Sequence, residues 1–305
     1  MSVGASVRAA LSVVLLATLV PAQSWQESCG ETRAGIVALR QAVKDTGSDC
    51  LALVVASHPD DRYVLPAVWL RYVMGLRIAV LLATRGGGGQ NISGPESGDA
   101  LERIRTLETE AGCSHFDGEV WYLNRPDAGY RRTAEATFGE WGREQSLRDL
   151  VRLIRTIRPD VILTTHNFQE QHGHDVALVE LLTNAVPLAG DAEFLPELPV
   201  HRPRVFGIGA TADSPSAISI PVDRLEPLRG ASFRHLAREI LRMAHLSPGP
   251  PVPLEELFEP TLRFELRLPP QPGDTPFAGL PSLFDPAIWP GDPERAAALD
   301  RFVRE

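Results

Sequence analysis

Apolar residues in this chain fall into two kinds of run. Short unbroken blocks, Leu51–Ala56, Arg77–Thr84 and Val161–Thr165, are interleaved with longer stretches, Glu31–Lys44, Val64–Met74, Asp99–Gly112 and Ser146–Ile157, whose apolar positions recur every three or four residues. An unbroken block suits a strand covered on both faces, and the longer spacing lays an apolar stripe along a helix. Gly75 is placed to end one helix, and Arg158-Pro159-Asp160 to end another. The interleaving predicts an α/β fold with a Rossmann-like, mostly parallel sheet, helices on both faces and right-handed crossovers. Val120–Leu123 adds a strand, Val176–Leu182 a helix, and Arg204–Gly209 and Ala217–Ile220 two shorter strands. Ser232–His245 reads as a helix, Thr261–Leu268 as a strand-like stretch among prolines, and Pro293–Val303 as a short closing helix.

The start of the chain departs from this pattern. Arg8 precedes an apolar stretch, Ala9–Val20, too short to span a bilayer and ending in Val20-Pro21-Ala22, as a secretory signal does. The expected organisation is a signal peptide over residues 1–22, an α/β domain over 23–249 and a proline-rich extension over 250–305. An uncleaved anchor is the alternative. After cleavage no membrane span is expected, and the protein would be secreted or periplasmic. An oxidising compartment would allow Cys29 and Cys50 to pair while Cys113 stays free, though three buried thiols fit as well. With Asp+Glu 39 against Lys+Arg 30 and no basic block, nucleic acid is excluded as the main partner, and a neutral or cationic small molecule fits better.

Candidate chemistry gathers where the blocks end. The first runs into His58-Pro59-Asp60-Asp61. Imidazole and carboxylate both ligate zinc, and a second carboxylate could face whatever the metal binds; a simple Pro-Asp turn is the plain alternative. The second block ends in Thr84-Arg85-Gly86-Gly87-Gly88-Gly89-Gln90-Asn91. No Lys-Ser/Thr pair follows, so this is not a Walker A loop; it is expected to face substrate, with Arg85 and Asn91 as candidate contacts, or to be a plain linker. The third block ends at His166, shortly before Gln171-His172-Gly173-His174-Asp175. Two histidines and an acid at a helix start could complete a three-ligand site with an open position for water, while Asp175 alone also suits a helix N-cap.

In this order stand His58-Pro59-Asp60-Asp61, Thr84–Asn91 with Gly94-Pro95-Glu96, Arg105-x-x-Glu108, Ala134-Glu135-x-Thr137-Phe138-x-x-Trp141-Gly142-Arg143-Glu144, Arg158-Pro159-Asp160-Val161, His172-Gly173-His174 and Gly230-Ala231-Ser232-Phe233 with His245-Leu246-Ser247. From about Leu51 to Gly249 the sequence resembles the PIG-L family, also called LmbE-like, of metal-dependent N-deacetylases acting on N-acetylglucosamine-type substrates. The resemblance implies Zn2+, with another divalent cation as an alternative, held by His58, Asp61 and His174 or Asp175. It implies Asp60 as general base and His172 as the group that steadies the oxyanion. Two departures stand out: Arg62 replaces the usual Glu of the first motif, and Asp175 falls where the third ligand histidine is expected. The expected reaction is hydrolysis of the N-acetyl amide of an N-acetylated sugar or glycoconjugate. A catalytically impaired carbohydrate-binding relative and an amidohydrolase of non-sugar amides are the alternatives.

Overall fold

The computed structural model describes residues 35–211, 213, 214, 217–247 and 259–268. The expected signal peptide, Cys29 and the closing helix lie outside the described residues. Strand β1 (Leu51–Ala56) is buried along its whole length. Its alternate residues feed two cores: Ala52 and Val54 pack on one face of the sheet, Leu53 and Val55 on the other. Each such Leu or Val contributes about 1.5–3 kcal/mol by leaving water.

Around it the chain builds β2 (Arg77–Leu82), β3 (Glu119–Tyr122), β4 (Val161–Thr164), β5 (Val205–Gly209), β6 (Ala217–Pro221), β7 (Leu225–Glu226), β8 (Ala231–Ser232) and β9 (Thr261–Leu268). The main sheet has seven strands in the order β3-β2-β1-β4-β5-β9-β6, and β7 pairs with β8 apart from it. The run from β3 to β5 is parallel; β9 pairs antiparallel with both β5 and β6. The helices are α1 (Gly35–Asp45), α2 (Val64–Met74), α3 (Asp99–Ser114), α4 (Ala134–Trp141), α5 (Arg143–Ile157), α6 (Gly173–Ala189) and α7 (Phe233–Ala244). Residues of α2 and α7 fill one core and those of α4, α5 and α6 the other, so both sheet faces are covered. None of the described helices is long and apolar enough to cross a membrane.

The mostly parallel α/β architecture is the expected one, with three adjustments. Thr261–Leu268, assigned above to the extension, is a strand of the main sheet. Its Leu262, Phe264 and Leu266 alternate with Arg263, Glu265 and Arg267, the period of a half-covered strand, which the flanking prolines obscured. Helix α6 starts three residues before Val176, because His172 serves as its N-cap: its Nδ1 accepts from the His174 N–H at 3.1 Å. Helix α4 went unread as a helix; Thr133 caps it, accepting from the Ala136 N–H.

Candidate metal centre

In the sheet order β3-β2-β1-β4-β5 the sequence runs outward in opposite directions from the β1/β4 boundary. Crossovers leaving the two strands diverge there and open a crevice at their carboxyl ends, the usual ligand position in open α/β sheets. His58, Asp60 and Asp61 leave β1 into that crevice, and His166 leaves β4. His172, His174 and Asp175 reach the same rim from the start of α6.

The turn after β1 is held by its own acid. Asp61 Oδ2 accepts from the His58 N–H at 2.6 Å, and the Asp61 N–H donates to His58 O at 3.3 Å. The same Oδ2 lies 3.5 Å from His58 Nδ1 and 3.1 Å from His166 Nε2. Asp175 spans the other side, Oδ1 3.9 Å from His58 Nδ1 and Oδ2 3.7 Å from His166 Nδ1. Asp61, His166 and Asp175 each bring a ligand atom within 4.8 Å of the others, as do His58, Asp60 and Asp61. Asp175 Oδ1 is buried without a hydrogen-bond partner. A buried carboxylate oxygen left without a donor is costly unless a cation meets it.

The electrostatics agree. Burial works against a charged His58, yet Asp61, Asp175 and Asp60 outweigh it and push its pKa up to about 10. His166 is likewise raised: burial opposes, and Asp61 and Asp175 prevail. Burial raises the Asp61 carboxyl, but His166 and His58 hold it well below the usual carboxylate range. The pocket therefore carries excess negative charge, which a divalent cation would neutralise in place of protons. The oxygen and nitrogen donors, the orphaned Asp175 oxygen and the charge excess all fit a metal ion.

His174 lies on the far side of His58. Its Nδ1 is 2.9 Å from His58 Nε2, it packs 5.0 Å from the Trp141 ring, and Asp127 Oδ1 is 4.0 Å away. Burial, His58 and His172 drive its pKa down to about 3. His172 is half-buried, 5.2 Å edge-on to Tyr130, and its pKa is lowered by burial and by His58. A third group of possible ligands, His58, His172 and His174, contains no acid.

Asp60 Oδ2 sits 3.8 Å from Arg105, whose side chain is only 1% exposed. Arg105 donates to Gly86 O, Gln90 O and Ser247 O, and Glu108 accepts from the Leu246 N–H and the Ser247 hydroxyl. These α3 residues tie the glycine loop to the segment after α7. The loop has no room for side chains: a Cβ on Gly88 would fall 2.3 Å from Asp127 O, and one on Gly89 2.3 Å from Arg105 Nη1. Of the loop's candidate substrate contacts, Arg85 stacks on Tyr122 and bonds Asn124 and Thr106, while Asn91 bonds Glu96 and Ser93. Neither is drawn into the His58–Asp61–Asp175 cluster by these contacts. His166 was read only as a strand end. Its position after the strand beside β1 was the signal that marks it.

Residues 53–186 match the model of the PIG-L family, GlcNAc-PI de-N-acetylase. The matched stretch takes in β1 from its third residue, the His58–Asp61 turn, the glycine loop, β4 and most of α6. Among solved structures the chain resembles N,N'-diacetylchitobiose deacetylase from Pyrococcus horikoshii, at 16% identity over 76% of this chain and 82% of that one, with a TM-score of 0.50. Others are the A40926 pseudoaglycone deacetylase Dbv21, at 13% identity over 70% and 96% with a TM-score of 0.48, and 4-carboxy-2-hydroxymuconate hydratase from Pseudomonas putida KT2440, at 15% over 71% and 95% with a TM-score of 0.47. No curated protein sequence matches the chain.

Proposed function

We propose that this protein is a metal-dependent N-deacetylase that hydrolyses the N-acetyl amide of an N-acetylglucosamine-type substrate, with Zn2+ as the metal. The observation that carries the reading is the convergence of His58, Asp61, His166 and Asp175 around a buried carboxylate oxygen that has no donor. These residues would hold the ion. Of the two candidates for the ligand beyond His58 and Asp61, Asp175 has the better claim, because His174 faces the opposite nitrogen of His58. Were His58 to hold the ion, its Nδ1, which faces Asp61 and Asp175, would be the nitrogen free to do so, and its Nε2–H would donate to His174 Nδ1, fixing the tautomer and the ring orientation.

Bound there, a divalent metal supplies Lewis acidity, polarising an amide carbonyl and acidifying water. Asp60 stands beside the ligand Asp61 with its side chain 39% exposed, so it can meet both water and substrate. It takes the proton of the attacking water and delivers it to the departing nitrogen, which leaves poorly as an anion. His172 Nδ1 already accepts the His174 N–H, so the neutral ring carries its hydrogen on Nε2 and offers it to the developing oxyanion. Its lowered pKa keeps that ring neutral. Elemental analysis of the purified protein, with acetate release from N-acetylglucosamine and chitooligosaccharides, tests the reading. Stoichiometric metal and acetate release are expected; a metal-replete protein that releases no acetate from any of them would refute it.

A further inference from the structure

Among the described residues the Asp60 carboxylate accepts no hydrogen bond, and its ion pair is with Arg105, 3.8 Å from Oδ2. Where the proposed base stands therefore depends on what places Arg105. This buried guanidinium donates to Gly86 O at 2.9 Å and to Gln90 O at 2.8 Å. The glycine loop closes on it so tightly that a Cβ on Gly86 would fall 2.8 Å from Arg105 Cδ. A third bond, at 3.1 Å, goes to Ser247 O, 142 residues along the chain. These three partners are carbonyls, so much of the guanidinium's charge is left to act on Asp60.

The turn that brings Ser247 there, His245-Leu246-Ser247 after α7, is held by polar groups. Leu246 is left 67% exposed, so burial of its side chain does not fix the turn. Glu108 does, from the next turn of α3 on the face that carries Arg105. Its Oε1 accepts from the Leu246 N–H at 2.8 Å, and its Oε2 accepts from the Ser247 hydroxyl at 2.6 Å and lies 3.2 Å from His245 Nδ1. Burial raises the Glu108 carboxyl, but the contacts from His245, Ser247 and Leu246 prevail and hold it below its ordinary value. Bonds to an ionised carboxylate are short and strong, and they fix geometry accordingly. Ser247 is the joint: its hydroxyl meets the acid and its carbonyl the arginine, so a shift of the turn moves the guanidinium that faces Asp60.

We infer that Glu108 and Ser247 are positioning residues for the reaction: together they set Arg105, and Arg105 sets the Asp60 carboxylate. This rests on the deacetylase reading with Asp60 as its base, and extends the working parts of the site to a turn far along the chain. The test uses the metal-loaded full chain as Ser247→Ala, the conservative Ser247→Thr and Glu108→Gln, each alone and combined with Asp60→Asn. Acetate release from chitooligosaccharides is followed at steady state, with metal content measured on every variant. Ser247→Ala and Glu108→Gln should lower kcat about tenfold with KM and metal content unchanged, and Ser247→Thr should restore it. Neither change should lower further the residual rate of Asp60→Asn. A loss of equal size in the Asp60→Asn background, a loss confined to KM, or no loss in either variant overturns the proposal. The 13C signal of the Asp60 carboxyl, assigned by its absence in Asp60→Asn, is recorded at neutral pH on the proteins as purified. It should move in Ser247→Ala and return in Ser247→Thr; an unmoved signal overturns the proposal whatever the kinetics. A signal that moves and returns in a protein releasing no acetate upholds the positioning while the deacetylase reading fails.

Discussion

The four histidines at the rim divide into two pairs that burial alone would treat alike. His58 and His166 look onto Asp61 and Asp175, and the carboxylates override burial to hold protons. For His172 and His174 the burial effect is reinforced by neighbouring imidazoles, and both are pushed toward neutrality. The difference teaches that partner chemistry assigns roles within one cluster. The acid-facing pair suits a cation, and the imidazole-facing pair suits neutral hydrogen bonding to a ligand ring and to substrate.

The sharpest way to break this division is to exchange the losses. Asp175→Ala should take metal content from stoichiometric to background, whereas His174→Ala, removing only the partner of His58 Nε2, should weaken metal affinity about 10–100-fold, both read by elemental analysis and chelator competition. Retention by Asp175→Ala and loss by His174→Ala would reverse the assignment. Asp60→Asn should lower kcat by roughly 10²–10⁴-fold with metal content unchanged, as steady-state kinetics would show.

The metal-free protein should also display the two pairs as opposite limbs of a stability profile. His58 binds its proton more tightly folded than unfolded, so its contribution is complete below the ordinary value of 6.5 and is lost as pH rises through about 10. His174, with a folded value of about 3, resists protonation, so stability falls as pH drops from 6.5 toward 3. Urea midpoints across pH should show both limbs; His58→Gln should flatten the alkaline one, and saturating metal should remove it by displacing the proton.

Smaller effects lie in the supports. Arg105→Ala removes three hydrogen bonds, to the carbonyls of Gly86, Gln90 and Ser247, the first of which keeps the Gly89 N–H, and should cost about 3 kcal/mol in chemical denaturation. Tyr130→Phe loses only the bond to Gln171 O and should cost about 1 kcal/mol in kcat/KM or less, with metal content intact.

Much of this was legible because the relevant signals are contiguous. The block Leu51–Ala56 and the His58–Asp61 turn occupy one short stretch, so pattern and chemistry could be read together. Asp175 was visible as a departure from the motif. His166 was not, since a histidine after a strand means little until the strand's neighbour is known, and β4 lies beside β1 only through the sheet order. The contact of His174 was hidden for a similar reason: which nitrogen of His58 it meets is a matter of ring orientation, and spacing along the chain does not encode that. In β9 the alternation was present, but pairing with β5 and β6 joins segments far apart in sequence.

The position of β9 late in the chain has a consequence for biosynthesis. Every residue that would grip the ion lies between His58 and Asp175, and so is translated well before Thr261 emerges. A nascent chain folding from its N-terminus can close the candidate rim while β6 still lacks its neighbour β9 in the sheet. A stop codon or protease cut just ahead of Thr261 would accordingly uncouple closure of that rim from completion of the sheet.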